Sequence, residues 1–152
     1  MKNLTPTQTE CLALLEKTAF VDLTTLDADG YPSSRAMMNL RCKETTPALA
    51  DVHAEAANPL TIYFTTNTSS AKMREIAKSP KAAVYFYDAA TFKGYLLQGV
   101  VENVTNEALK KRIWQPGWET YYPAGWEDFS VLKFTPARMK AYGNFSVTEE
   151  NV

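Results

Sequence analysis

Between Leu60 and Lys78 the hydrophobic period of this chain changes, and that change limits the folds open to it. Leu60 to Phe64 reads LTIYF, an apolar run with the β-branched and aromatic content of a buried strand. Thr65 to Ser70 is wholly polar. Met73, Ile76 and Ala77 then recur three and four residues apart, which places them on one face of a helix. The stretch is a strand, a polar turn and a helix start, with Ser69 or Ser70 as the N-cap. A helix N-terminus leaves backbone N–H groups unpaired and carries partial positive charge, so hydroxyls and Lys72 gathered there suit a phosphate. The plainer alternative, a serine that only caps and a lysine in solvent, stays open from these residues alone.

The flanking segments read as antiparallel strands with a few helices. Thr5-Pro6-Thr7-Gln8 offers an N-cap, a proline at the first helical position and a capping-box glutamine. Cys11, Leu12, Leu14 and Leu15 supply the buried side of that first helix. AFVDLTTLD then has strand character, and Asp27-Ala28-Asp29-Gly30 is a turn before an extended run from Pro32 to Leu40. In that run Arg35, Met37 and Asn39 share one face, with Ala36, Met38 and Leu40 opposite. Arg35 at a solvent edge is the competing interpretation.

Glu44 to Asn58 lacks alternation and reads as a long connection with a helical turn. Ser79-Pro80 ends the helix that began near Ser70, and AAVYFYD is the most strand-like run in the chain. YLLQGVVENV follows a turn, and Gly99 inside it points to a bulge or a close backbone approach. Thr105 is the expected N-cap of a short helix through Trp114. The loop QPGWETYYPAGWEDF concentrates large rings, which favour burial in the core or at an interface over stacking on a ligand. SVLKFTP and ARMKAYG close the strands, and the polar tail from about residue 144 is expected to fray.

About six strands with interspersed helices make a mainly β, α+β arrangement or small barrel, a single domain over 1–152. Lysines and arginines number 16 against 17 acidic residues, so no broad nucleic-acid surface is expected. Cys11 and Cys42 read as free thiols in a reducing compartment. The one histidine, His53, leaves little from which to build a zinc site or a Ser/His/Asp triad, and no metal is expected. With no apolar leader and no membrane-length run, a cytoplasmic protein is expected.

Taken in order, SSRAMMN, YFTTNTSSAKMREIAKSPKAAVYFYD, LLQGVVENV and WEDFSVLKFTPARMKAYG resemble the pyridoxamine 5'-phosphate oxidase-like FMN-binding split-barrel family, in its general stress protein 26-like branch. The resemblance runs from about Leu12 to Tyr142 and rests on order and spacing together. It implies a six-stranded antiparallel split barrel that forms a homodimer, with FMN in clefts at the subunit interface. By this resemblance Arg35, Met37 and Asn39 run beside the flavin, and Thr65, Thr66 and Asn67 lie under the ribityl chain and ring edge. Ser70 and Lys72 match the phosphate-holding pair, and Gln98 matches a strand glutamine that reaches the flavin. Lys111 and Trp126 fall where the partner subunit helps close the cleft.

The same resemblance implies an FMN-dependent oxidoreductase with a small-molecule electron donor and acceptor and with catalytic residues unassigned. A non-catalytic flavin carrier or stress protein, or a barrel holding deazaflavin or heme, are the alternatives. Two departures argue against oxidation of pyridoxamine phosphate itself. Ala71 stands where an arginine usually precedes the phosphate-binding lysine, and ARMKAYGN lacks the histidine of the substrate-contacting segment, so Arg138 inherits no substrate role.

Overall fold

A computed structural model describes residues 3–152, leaving the first two positions of the expected 1–152 domain outside it. Helix α1 (Pro6–Leu15) begins at the anticipated capping box: the Thr5 side chain accepts from the Gln8 amide at 3.2 Å and the Gln8 side chain accepts from the Thr5 amide at 3.2 Å. The strands are β1 (Phe20–Leu26), β2 (Pro32–Met38), β3 (Ile62–Asn67), β4 (Lys81–Asp88), β5 (Lys93–Asn103), β6 (Phe129–Gly143) and β7 (Ser146–Asn151). Three further helices are α2 (Ala50–Ala54), α3 (Ala71–Lys78) and α4 (Glu107–Ile113). All pairings are antiparallel, in the order β2-β1-β4-β5-β6-β3, with β7 added beside β6. The path ends, β2 and β3, are not paired with each other, so the curled sheet is a split barrel.

Alternation along β3 divides two cores. Ile62 and Phe64 turn into the barrel with Leu23, Val84, Leu97 and Phe134, capped by Cys11 and Leu15 of α1 and Ile76 of α3. Tyr63 turns outward into a second cluster with Leu40, Leu49, Ile113, Trp118, Tyr122 and Phe129. The neighbouring β6 does the same, sending Leu132 inward and Val131 outward. A strand buried on both faces reads as a continuous apolar run, which is why LTIYF shows no alternation. The ring-rich loop is thus core material: Trp114 packs edge-on to Phe129 at 4.9 Å between centroids, and Tyr122 meets Phe129 at 5.0 Å.

Several elements differ from expectation. The tail forms β7 instead of fraying. Its order comes from contacts distant in sequence: Thr5 Oγ1 donates to Glu150 at 2.6 Å and Gln8 Nε2 donates to the Asn151 carbonyl at 2.9 Å. Asn144 and Phe145, with φ of 50° and 59°, make the two-residue left-handed turn before it, where a glycine would have advertised a hairpin. SVLKFTP and ARMKAYG are one continuous strand, β6, whose Pro136 is accommodated at a bulge. The N-cap of α4 is Asn106, accepting from the Leu109 amide at 3.0 Å, one residue past Thr105.

The bulge lies where Gly99 placed it. Gln98 pairs with Arg138 while Gly99 pairs with Pro136, so Ala137 is the extra residue. A Cβ on Gly99 would lie 2.0 Å from the Thr135 carbonyl oxygen and 2.7 Å from Pro136 Cα, both backbone atoms of a central strand. Gly99→Ala is expected to lower stability by roughly 1–3 kcal/mol through forced separation of β5 and β6. The urea midpoint measures this, and an unchanged midpoint would show that the two strands separate freely.

Candidate functional site

The polar turn between β3 and α3 is held open by β6. Asp128 accepts from the Ser69 amide at 2.9 Å through Oδ1 and from Asn67 Nδ2 at 2.9 Å through Oδ2. The Thr68 amide reaches the Asp128 carbonyl at 2.8 Å, and the Thr68 and Ser130 hydroxyls meet at 2.7 Å. These bonds to the charged form, the Ser69 amide first, hold the Asp128 carboxyl below its ordinary pKa. No local sequence signal marks Asp128, because its partners lie about sixty residues away.

Ser70 is the backbone N-cap of α3, yet its hydroxyl makes no capping bond. It turns instead to Thr66 Oγ1 at 3.2 Å, and Lys72 Nζ donates to the same Thr66 oxygen at 2.7 Å. Across the barrel mouth, Arg35 donates to Thr25 Oγ1 at 2.7 Å and to Glu75 at 3.1 Å, and Thr25 donates to Glu75 at 2.6 Å. Burial pushes the Lys72 ammonium below its ordinary pKa, the Arg35 charge adds to that, and Glu75 draws it back. The corner therefore holds Lys72, Arg35 and Glu75 beside a helix start without a side-chain cap, and Asp128 and Arg74 both bond Ser69 on the turn that leads into it. The hydroxyls, N–H groups and ammonium gathered there are the donors that a phosphate accepts.

The expected residues fall into separate groups. Arg35, Thr66, Ser70 and Lys72 converge on this corner. Thr65 and Asn67 point to the other face of β3, Asn67 onto Asp128. Met37 is buried in the barrel core. Asn39, one residue beyond β2, is fully buried and structural in its bonds: Nδ2 donates to the Leu15 and Thr18 carbonyls, both at 2.7 Å, and Oδ1 accepts from the Arg41 amide. Gln98 accepts from Arg138 Nε at 2.8 Å in a cleft of about 490 Å³ that also includes Thr25, Lys81 and Val100. Lys111 and Trp126 line a separate cavity of about 340 Å³ with Trp114 and Glu119.

This architecture is shared with a set of solved split-barrel proteins. One, from Clostridium acetobutylicum, is a protein related to general stress protein 26 of B. subtilis in the pyridoxinephosphate oxidase family. It is 28% identical with a TM-score of 0.74, the match covering 95% of this chain and 93% of that one. A pyridoxamine 5'-phosphate oxidase-related, FMN-binding protein from Nostoc punctiforme aligns over 99% of both chains at 14% identity and a TM-score of 0.62. A heme-binding protein from Mycobacterium smegmatis aligns over 99% of this chain and 60% of its own at 16% identity and a TM-score of 0.69. The family profile described as pyridoxamine 5'-phosphate oxidase matches residues 7–143, and the chain belongs to that family.

Because the Asp128 pKa is depressed in the fold, its support of the turn is complete above the unfolded value of ~3.9 and is lost as pH falls through the folded value. Asp128→Ala is expected to speed hydrogen exchange at the Ser69 amide at neutral pH while leaving the β4–β5 ladder protected. Equal protection of Ser69 in both proteins would mean that the turn holds its own shape.

Proposed function

We propose that this chain is an FMN-binding flavoprotein and an oxidoreductase acting on a small-molecule substrate. The observation that carries the reading is the donor set at the Lys72 corner, where the Lys72 ammonium and the Ser70 hydroxyl meet at Thr66 beside a helix start that has no side-chain cap. The FMN-binding relative from Nostoc punctiforme supports the same choice of cofactor. Lys72, Ser70 and Thr66 would hold the phosphate, with Arg35 steadying the charge, and the Gln98 amide stands ready to meet a polar edge. When bound, the flavin supplies hydride or electron transfer between a reduced donor and an acceptor.

The protein's own contribution is to orient, to neutralise and to exclude water. The Lys111–Trp126 cavity is separate from the corner within one chain, which favours a homodimer whose second copy completes the cleft. Heme held through histidine is disfavoured by the one histidine: His53 Nδ1 meets the Leu49 carbonyl at 3.0 Å and Nε2 accepts from the Tyr63 amide at 3.4 Å, leaving neither nitrogen for iron. Oxidation of pyridoxamine phosphate is not part of the proposal, given Ala71 and an Arg138 committed to Gln98. The two free, buried thiols suit a reducing compartment such as the cytoplasm.

The visible spectrum of the protein as isolated is the first test, expected to show flavin bands and to release FMN on denaturation. Bleaching on addition of a reduced nicotinamide separates an oxidoreductase from an inert carrier. Lys72→Ala is expected to weaken FMN binding by roughly 1.5–3 kcal/mol, the worth of a charge-assisted bond. Fluorescence titration of FMN reads this, and an unaltered dissociation constant would put the phosphate elsewhere.

A further inference from the structure

One end of the β1–β2 hairpin carries apolar side chains on its outer face. Phe20 and Met38 are cross-strand partners there, 62% and 36% exposed. Farther along the same face the side chains are small or polar, with Asp22 opposite Ala36 and Thr24 opposite Ser34. A third exposed apolar group comes from the loop after α4, where Tyr121 is 61% exposed while its neighbour Tyr122 is buried among the rings of the second core. Phe20, Met38 and Tyr121 line one groove of about 400 Å³, with Pro47, Pro116 and Trp118 also in its wall.

Exposed apolar side chains scattered singly are ordinary, but three from separate segments around one concave space are not. No residue of the wall is charged, and the nearby Glu119 lines the Lys111 cavity instead. The polar side chains of the wall are largely spent on backbone. Thr46 donates to the Leu40 and Cys42 carbonyls, and Gln115 Nε2 donates to the Ile113 and Trp114 carbonyls. Trp118 is held by ring contacts with Trp114 and Phe129, both at 6.3 Å between centroids, which ties this wall to the aromatic core.

We propose that this groove is a ligand site for a small uncharged aromatic molecule. Its exposed rings and the Met38 thioether offer ring-stacking and sulfur–ring contacts. Its volume falls within the roughly 300–1,000 Å³ of small-molecule sites. A wall without charge gives an ionised ligand nothing in return for the water it would lose. A second copy of the chain fits less well, because three partly exposed side chains fall far short of the roughly 800 Å² per partner that a stable interface buries. Met38 and Arg35 lie on opposite faces of β2, and the groove shares no residue with the Lys72 corner, so the inference does not rest on the flavin reading.

The test uses the full chain with its methionines labelled with carbon-13 at the methyl group. Titration with 2-naphthol, uncharged at neutral pH, is expected to give a saturable shift of the Met38 methyl resonance and to leave that of Met139, buried in the barrel core, unmoved. 2-Naphthoate, the same rings bearing a carboxylate, is expected to bind several-fold more weakly. Phe20→Ala and Tyr121→Ala, both at exposed positions, are each expected to weaken 2-naphthol binding several-fold without loss of the fold. A Met38 resonance that does not move, 2-naphthoate binding as tightly as 2-naphthol, or an affinity unchanged in both variants overturns the proposal. So does a Phe20→Ala protein of halved mass in sedimentation, which gives the groove to a second copy, or release of FMN by 2-naphthol, which gives it to the flavin ring. Lys72→Ala is expected to leave 2-naphthol binding unchanged, which separates a failure here from a failure of the flavin reading.

Discussion

The pairing of β3 with β6 is the constraint from which the rest of the molecule follows. Where they pair, both strands are buried on both faces, so their register decides at once which side chains fill the barrel and which join the aromatic cluster. The same ladder brings Asp128, at the threshold of β6, against the turn that ends β3. One hydrogen-bonded strand pair therefore sets the cores and also the position from which α3 starts. Slipping it by one residue would exchange Tyr63 with Phe64 and carry Thr66 away from Lys72.

Electrostatics then give the two ends of β3 different characters. At the Thr66 end Lys72 and Arg35 lie near Glu75 beside the start of α3. At the Thr61 end the Arg41 guanidinium is enclosed and donates to the Thr61 carbonyl.

Much of the fold was legible because it is local. The capping box at Thr5, the turn at Asp27–Gly30 and the bulge at Gly99 each depend on residues adjacent in the chain, and each is found where the spacing put it. The placing of Ser70 and Lys72 together at the start of α3 was legible for the same reason, since a strand, turn and helix lie in one stretch, whereas their shared contact with Thr66 emerges only in the fold. What escaped depends on distance. β7 is held by residues about 145 positions earlier, Asp128 works about sixty residues from the turn it clasps, and Arg41 is buried against the carbonyl of Thr61. Asn39 shares a nominal face with Arg35, but the strand ends before it and its amide turns back to α1.

The clasp between α1 and β7 couples the two extremities of the described chain. Thr5 both caps the helix and grips Glu150, while Gln8 both closes the capping box and holds Asn151. Peeling β7 from its neighbour would thus strip two outside contacts from the start of the helix whose Cys11 and Leu15 plug the barrel. Mechanical load applied at either extremity would be borne by the same few bonds, and the barrel would yield as a unit instead of shedding an edge.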